Sequence, residues 1–250
     1  MGGSIGAWLI RAGHDVVLVD TDAAPAAAIR ENGLRITGPV DEFTVEAYCT
    51  DPLRLDPGFK TVLLCVKAHH TSVALNVIGQ LLHEDGFVVS VQNGLNERGI
   101  AGAVGPERTV GCFVNFGADV LEPGVIMRGN RGAVVVGELD GVRTDRISAV
   151  HALLQDFDPD AVLTENIWGY LWGKLAYGSM LFATALADAS IADVLESAAH
   201  RPGIIGLARE AMAVAAARGV KPEPFDGFDP GAFGPEASEA DADASLDRLV

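Results

Sequence analysis

The opening run MGGSIGAWLIRAGHDVVLVD carries residue types suited to holding a diphosphate. Glycines let a backbone approach phosphate oxygens and let a helix lie close to a sheet, while the free N–H groups at a helix's amino end attract negative charge. Gly2, Gly3, Ser4 and Ile5 open such a helix. Asp20 ends the strand that follows, about 20 residues after the turn, where a carboxylate can accept hydrogen bonds from the ribose hydroxyls of a dinucleotide. A complete G-x-G-x-x-G fingerprint begins with a strand and two earlier glycines. Here Gly2 takes the third glycine's place, so the first strand and two glycines are missing. A glycine-rich helix start alone is equally what close packing produces, and Asp20 is the residue that turns the reading toward a cofactor. The missing strand is normally central, and its neighbours would otherwise carry bare edges. The natural protein is therefore expected to begin upstream of Met1, with an in-frame strand and G-x-G in the genomic sequence as the check.

Three more positions could carry chemistry. Lys67 and the pair Asn93 and Gly94 each follow an apolar strand, at the carboxyl ends where ligands of an open parallel sheet collect. A surface lysine beside a buried strand and a simple Asn-Gly turn would look the same. Lys174 stands between Trp172 and Leu175 on an otherwise apolar helix, a place that also suits a lysine snorkelling to solvent. Cys65, His69 and His70 lack the ligand spacing of a zinc site, so no metal is expected. Ser179 has no G-x-S-x-G around it, which disfavours a serine hydrolase.

The elements that must position these groups fall into two stretches. Residues 1–164 alternate short β-branched runs with helical segments, the pattern of a parallel sheet covered by helices. Strands are expected over 16–20, 61–66, 87–91, 109–114 and 133–136, with an inserted half-exposed strand over 38–49. The helix over 4–12 places Ile5, Trp8 and Leu9 on one face, and Gly13 can end it. From 165 to 250 the strands stop. Trp168, Tyr170 and Trp172 open a long apolar helical segment through residue 187, the trio reading as packing at a domain junction. An Ala-rich helix over 200–218 turns Ile204, Leu207, Ala208, Met212 and Ala215 to one face. Residues 222–243, rich in Pro, Gly, Asp and Glu, read as a solvated connector. The fold class is α/β, a Rossmann-type sheet domain followed by an all-helical domain.

Composition excludes some partners. Thirty-four acidic against 18 basic residues give a net charge of −16. With a pI near 4.6, such a chain repels nucleic acid and anionic membrane surfaces. At 49% hydrophobic residues the chain can bury a substantial core. Three sparse cysteines, Cys49, Cys65 and Cys112, suit a reducing, cytoplasmic setting. No stretch reaches the roughly 20 apolar residues of a membrane helix, and no signal segment opens the chain.

Taken in order, GGSIGAWLIRAGHDVVLVD, AIRENGLRI, VLLCVKAHHT, VVSVQNGLNE, VGCFVNFGADVLEPG and NIWGYLWGKLAY resemble the ketopantoate reductase (2-dehydropantoate 2-reductase) family along nearly the whole chain. The resemblance implies reduction of a 2-keto acid with NADPH, a step of pantothenate biosynthesis. It implies that Lys174 is the general acid, that Lys67 lies near the cofactor, and that Asn93 bonds nicotinamide or substrate. An ammonium suits the acid role, since an unperturbed lysine has a pKa of about 10.4.

Three departures bear on function. The family usually carries asparagines four and eight residues after the lysine, where this chain has Gly178 and Phe182. Many members place an arginine at the end of the second strand, facing the 2′-phosphate of NADP. This chain has Asp20, Thr21 and Asp22, whose carboxylates favour NAD on local electrostatics. The family's substrate-binding serine and glutamate would fall beyond Val250. Two readings follow: an NAD(P)H-dependent 2-keto acid reductase, or a reductase-like protein that binds dinucleotide without turnover. A homodimer through the helical segment and packing within one chain fit the same pattern.

Overall fold

The computed structural model describes residues 1–249, which form two compact units. The first comprises residues 1–92 and 96–165; the second comprises 93–95 and the chain from Asn166 onward.

In the first unit, α1 (Gly2–Arg11) buries Ile5, Trp8 and Leu9. Gly13, at φ +94°, lets the chain leave the helix. β1 (Val17–Val19) follows, then α2 (Ala23–Asn32), β2 (Leu34–Thr37), β3 (Phe43–Val45) and β4 (Tyr48–Thr50). The expected strand over 38–49 is thus two strands with different partners. β3 pairs antiparallel with β2, whereas β4 runs parallel to β1 with Leu18 opposite Cys49. An alternating pattern fixes which faces are buried, but not where a strand breaks to change sheets.

β5 (Phe59–Leu64), α3 (Thr71–Leu81), β6 (Leu82–Ser90), α4 (Glu97–Val104) and β7 (Thr109–Val114) continue the parallel pattern, with Val62 opposite Val88 and Val89 opposite Val110. The hairpin β8 (Ala118–Glu122) and β9 (Val125–Arg128), absent from the sequence reading, turns at Gly124 with φ +80°. It joins β2 and β3 in a four-stranded sheet of order β3-β2-β9-β8. β10 (Val134–Glu138) corrects the expectation of a wholly parallel sheet, because it runs antiparallel to β7 with Val135 opposite Phe113. Its continuous apolar run requires burial on both faces and is indifferent to direction. After α5 (Asp145–Phe157), β11 (Val162–Leu163) completes a sheet of order β11-β10-β7-β6-β5.

Among the described residues β1 pairs only with β4, and β5 only with β6. One helix serves both pieces. A Cβ on Gly2 would lie 3.1 Å from the Cβ of Cys65, just past β5, and one on Gly6 would lie 2.6 Å from Leu18 Cδ2 in β1. The glycines of α1 therefore let it lie against strands of two separate sheets. On its other face Trp8 meets Phe43 and Phe157 edge to face, at 4.7 and 5.6 Å. The guanidinium of Arg128, fully buried, sits over Trp8 and Phe157 and donates to Asp158 Oδ2 at 2.8 Å.

The second unit is helical. α6 (Ile167–Thr184) starts at Asn166, whose side-chain oxygen accepts from Gly169 N–H at 3.1 Å while its amide donates to Lys221 O and Glu223 Oε1. α7 (Ile191–Glu196), α8 (Arg201–Ala217) and α9 (Glu239–Asp247) follow, with α8 packed along α6. On α8 the buried face includes Ile205, whereas Leu207 is exposed, contrary to the face expected. Residues 222–243 are no solvated connector. Phe225, Phe228 and Phe233 are buried there; Phe225 and Phe228 pack with Tyr177 of α6, and Phe233 stacks on Phe228. Three aromatics outweigh the polar composition around them. No described helix is long and apolar enough to cross a membrane.

Candidate active site

At the amino end of α1 no side chain caps the helix and no acidic residue occupies the first turn. The backbone N–H of Ile5 donates to Met1 O at 3.1 Å, and its side chain lies in the core. Gly2, Gly3 and Ser4 supply the remaining first-turn donors. Ser4 is fully buried, and its hydroxyl has no hydrogen-bond partner among the described residues. Lys67 is exposed, close enough for its charge to act on the amino group of Met1. An uncapped helix end, an orphaned hydroxyl and a nearby ammonium fit a diphosphate.

Two strand ends are tied together by a residue the sequence reading did not single out. Gln92, buried after β6, donates from Nε2 to Val66 O at 2.6 Å and exchanges hydrogen bonds with the Thr71 hydroxyl. Val91 N–H donates to Leu64 O at 3.0 Å. The turn that carries Lys67 is thereby fixed to the strand that leads into Asn93. Gly94, at φ +100°, allows the chain to reverse there, and Asn93 is exposed. Asn93 groups with the helical unit, which also holds Lys174.

Lys174 is half-buried on α6. Gly178 and Phe182 follow at four-residue spacing on the same face. A Cβ on Gly178 would meet nothing within 4 Å, and Phe182 is 84% exposed.

Glu97, four residues beyond Asn93, was also missed. It is fully buried in the first turn of α4. Burial pushes its carboxyl up to about 7; a backbone N–H and the neighbouring Ser90 hydroxyl pull the other way. Neither carboxyl oxygen has a partner in hydrogen-bond geometry among the described residues.

The last group surrounds the end of β1. A cleft of about 160 Å³ is lined by Asp20, Thr21, Asp22, Arg30, Asp51 and Arg54, among others. Asp20 N–H donates to Thr50 O, and its Oδ1 accepts from Asp22 N–H at 2.9 Å. Beneath lies buried Cys49, whose thiol burial pushes up, with Asp20 adding to the rise and Arg30 opposing it. The sequence placed three acidic or polar residues at this strand end, but could not show that two arginines from elsewhere join them. Among the described residues no three His, Cys, Asp or Glu side chains gather as metal ligands. The rings of His69 and His70 lie 4.0 Å apart, tilted by 52°, and burial pushes the Cys65 thiol up to about 11.

Comparison with known proteins supplies the remaining constraint. Residues 1–141 match the family described as Ketopantoate reductase PanE/ApbA. A 2-dehydropantoate 2-reductase of Mesorhizobium japonicum is 28% identical over 247 residues, covering 88% of this chain and 74% of the relative. That of Pyrococcus abyssi is 30% identical over 183 residues, covering 72% of this chain and 59% of the relative. Among solved structures, a 2-dehydropantoate 2-reductase from Geobacter metallireducens superposes with a TM-score of 0.75 at 22% identity, covering 98% of this chain and 94% of its own. A D-mandelate dehydrogenase bound to NADH and anilino(oxo)acetate gives 0.78 at 20% identity, covering 93% and 77%. At these identities the structures speak to the fold.

Proposed function

Because the chain belongs to the ketopantoate reductase family, we propose that it reduces the keto carbon of a 2-keto acid, of the 2-dehydropantoate kind, in the cytoplasm. The reduced nicotinamide of NADPH or NADH supplies a hydride when bound. Lys174 hydrogen-bonds the carbonyl oxygen through its ammonium, stabilises the charge that develops there, and gives up a proton to form the 2-hydroxy acid. Asn93 orients the carbonyl or the carboxamide through its side-chain amide. The N–H groups of Gly2, Gly3 and Ser4, with Lys67, balance the diphosphate, and Asp20 accepts from ribose hydroxyls.

The observation that carries this reading is the Gln92 clamp, which fixes the turns bearing Lys67 and Asn93 at adjacent strand ends. Steady-state oxidation of NADPH and NADH tests it, with 2-dehydropantoate and with branched and aromatic 2-keto acids. Aromatic substrates belong in the panel because Gly178 and Phe182 leave an apolar, open face one and two turns beyond Lys174. The mandelate dehydrogenase neighbour also binds an aromatic oxo acid. Saturable, substrate-dependent oxidation is expected. The same two residues favour the second reading, a dinucleotide-binding protein without turnover; nucleotide binding with no oxidation by any substrate would establish that instead.

A further inference from the structure

The cleft at the end of β1 has more open positive charge than the sequence Asp20-Thr21-Asp22 suggests. Each of its three carboxylates has one oxygen engaged in shaping the backbone. Asp22 Oδ1 accepts from Ala24 N–H at 2.9 Å as the cap of α2, and Asp51 Oδ1 accepts from Leu53 N–H at 2.8 Å as the cap of the turn Pro52–Arg54. A carboxylate in that position has its charge partly offset by the N–H groups it meets. Asp20 Oδ1 is likewise engaged by Asp22 N–H.

The arginines are in the opposite condition. Arg30 and Arg54 are exposed, and among the described residues neither guanidinium makes a hydrogen bond or an ion pair, although three carboxylates line the same cleft. Arg11, Arg35, Arg128, Arg143, Arg146 and Arg201 all bond a carboxylate. A guanidinium presents five donors in a planar fork matched to phosphate oxygens.

We infer that Arg30 and Arg54 form a 2′-phosphate clamp at the adenosine end of the cofactor, so that the cleft accepts NADPH despite Asp20. The inference rests on the reading of α1 and Asp20 as a dinucleotide site, and adds residues from α2 and from the turn after β4 that set its specificity. Asp20 is left to take the ribose hydroxyls when the phosphate is absent, so NADH is bound as well.

Equilibrium titration with adenosine 2′,5′-bisphosphate and with 5′-AMP tests this without any keto acid, using the unmodified chain and the R30Q/R54Q double variant. Both positions are exposed and unpaired, and thermal melts check that the variant folds as the parent does. The bisphosphate is expected to bind the variant roughly 10- to 100-fold more weakly, the range for hydrogen bonds to a charged group, while 5′-AMP changes less than about threefold. Asp20→Asn should strengthen the bisphosphate and not 5′-AMP. Equal losses for both nucleotides, or no loss for either, would overturn the clamp; NADH-dependent keto acid reduction persisting in that case would leave the reductase reading standing. Failure of both nucleotides to bind the unmodified chain would overturn the clamp and the dinucleotide site together.

Discussion

Hydride addition turns a keto oxygen into an alkoxide, whose conjugate acid is far weaker than a protonated lysine, so a positioned ammonium both steadies and quenches it. Lys174→Ala is expected to lower turnover about 100-fold or more while nucleotide affinity, followed by fluorescence, stays within about threefold. Unchanged turnover would remove Lys174 from the reaction. Glu97 yields a prediction of a different kind. Its carboxyl is ordinarily near 4.5 and burial raises it to about 7. A group held neutral by the fold contributes stability that is fully present below its unfolded value and is lost as pH rises through the folded one. Stability should therefore decline from about pH 4.5 to about pH 7. Glu97→Gln should abolish that decline, matching the parent near pH 5 in urea unfolding and exceeding it near pH 8 by about 1–3 kcal/mol. A variant equally weakened at both pH values would contradict the assignment. Of the residues proposed for the site, Asp20, Lys67 and Asn93 could be singled out in the sequence because each is a polar type at a strand end. Gln92, Glu97, Arg30 and Arg54 were not, because what distinguishes them is burial or convergence from distant elements, which no local pattern records.

Elements show the same division. The helix over Gly2–Arg11 and the strand Thr109–Val114 could be read from periodicity and apolar runs, since those patterns are the cause of their burial. β8 could not: Val120 and Leu121 are exposed, so its apolar residues mark no core face. Direction was invisible for β10, and the Phe225, Phe228 and Phe233 cluster was hidden by the Pro, Gly and acidic residues around it. Nor did the sequence forecast Arg128 as a fully buried cation at the end of β9, held by Asp158 beyond α5 and by the faces of Trp8, Phe116 and Phe157. Arg128→Ala would leave Asp158, itself nearly fully buried, with the more distant and exposed Arg131 at 3.6 Å in place of its 2.8 Å partner, and is expected to cost about 3–5 kcal/mol in chemical denaturation. Adding Asp158→Asn should recover part of that loss. A cost for Arg128→Ala below about 1 kcal/mol would show that the pair does not tie β9 to the end of α5.

At the scale of the molecule, a chain with a net charge of −16 still has basic groups where anions are proposed to sit, Lys67 beside the amino end of α1 and Arg30 with Arg54 beside Asp20. Family membership was legible from the ordered motifs, several of which fold into strand ends and helix starts. The reaction itself is tested most directly by following the hydride. The unmodified protein would be supplied with NADPH or NADH deuterated on the transferring face of the nicotinamide, together with 2-dehydropantoate and the wider set of 2-keto acids, and the products read by mass spectrometry. One deuterium at the carbon bearing the new hydroxyl of a 2-hydroxy acid is the predicted result. Nucleotide bound by a folded protein, with no labelled hydroxy acid from any substrate, would contradict it.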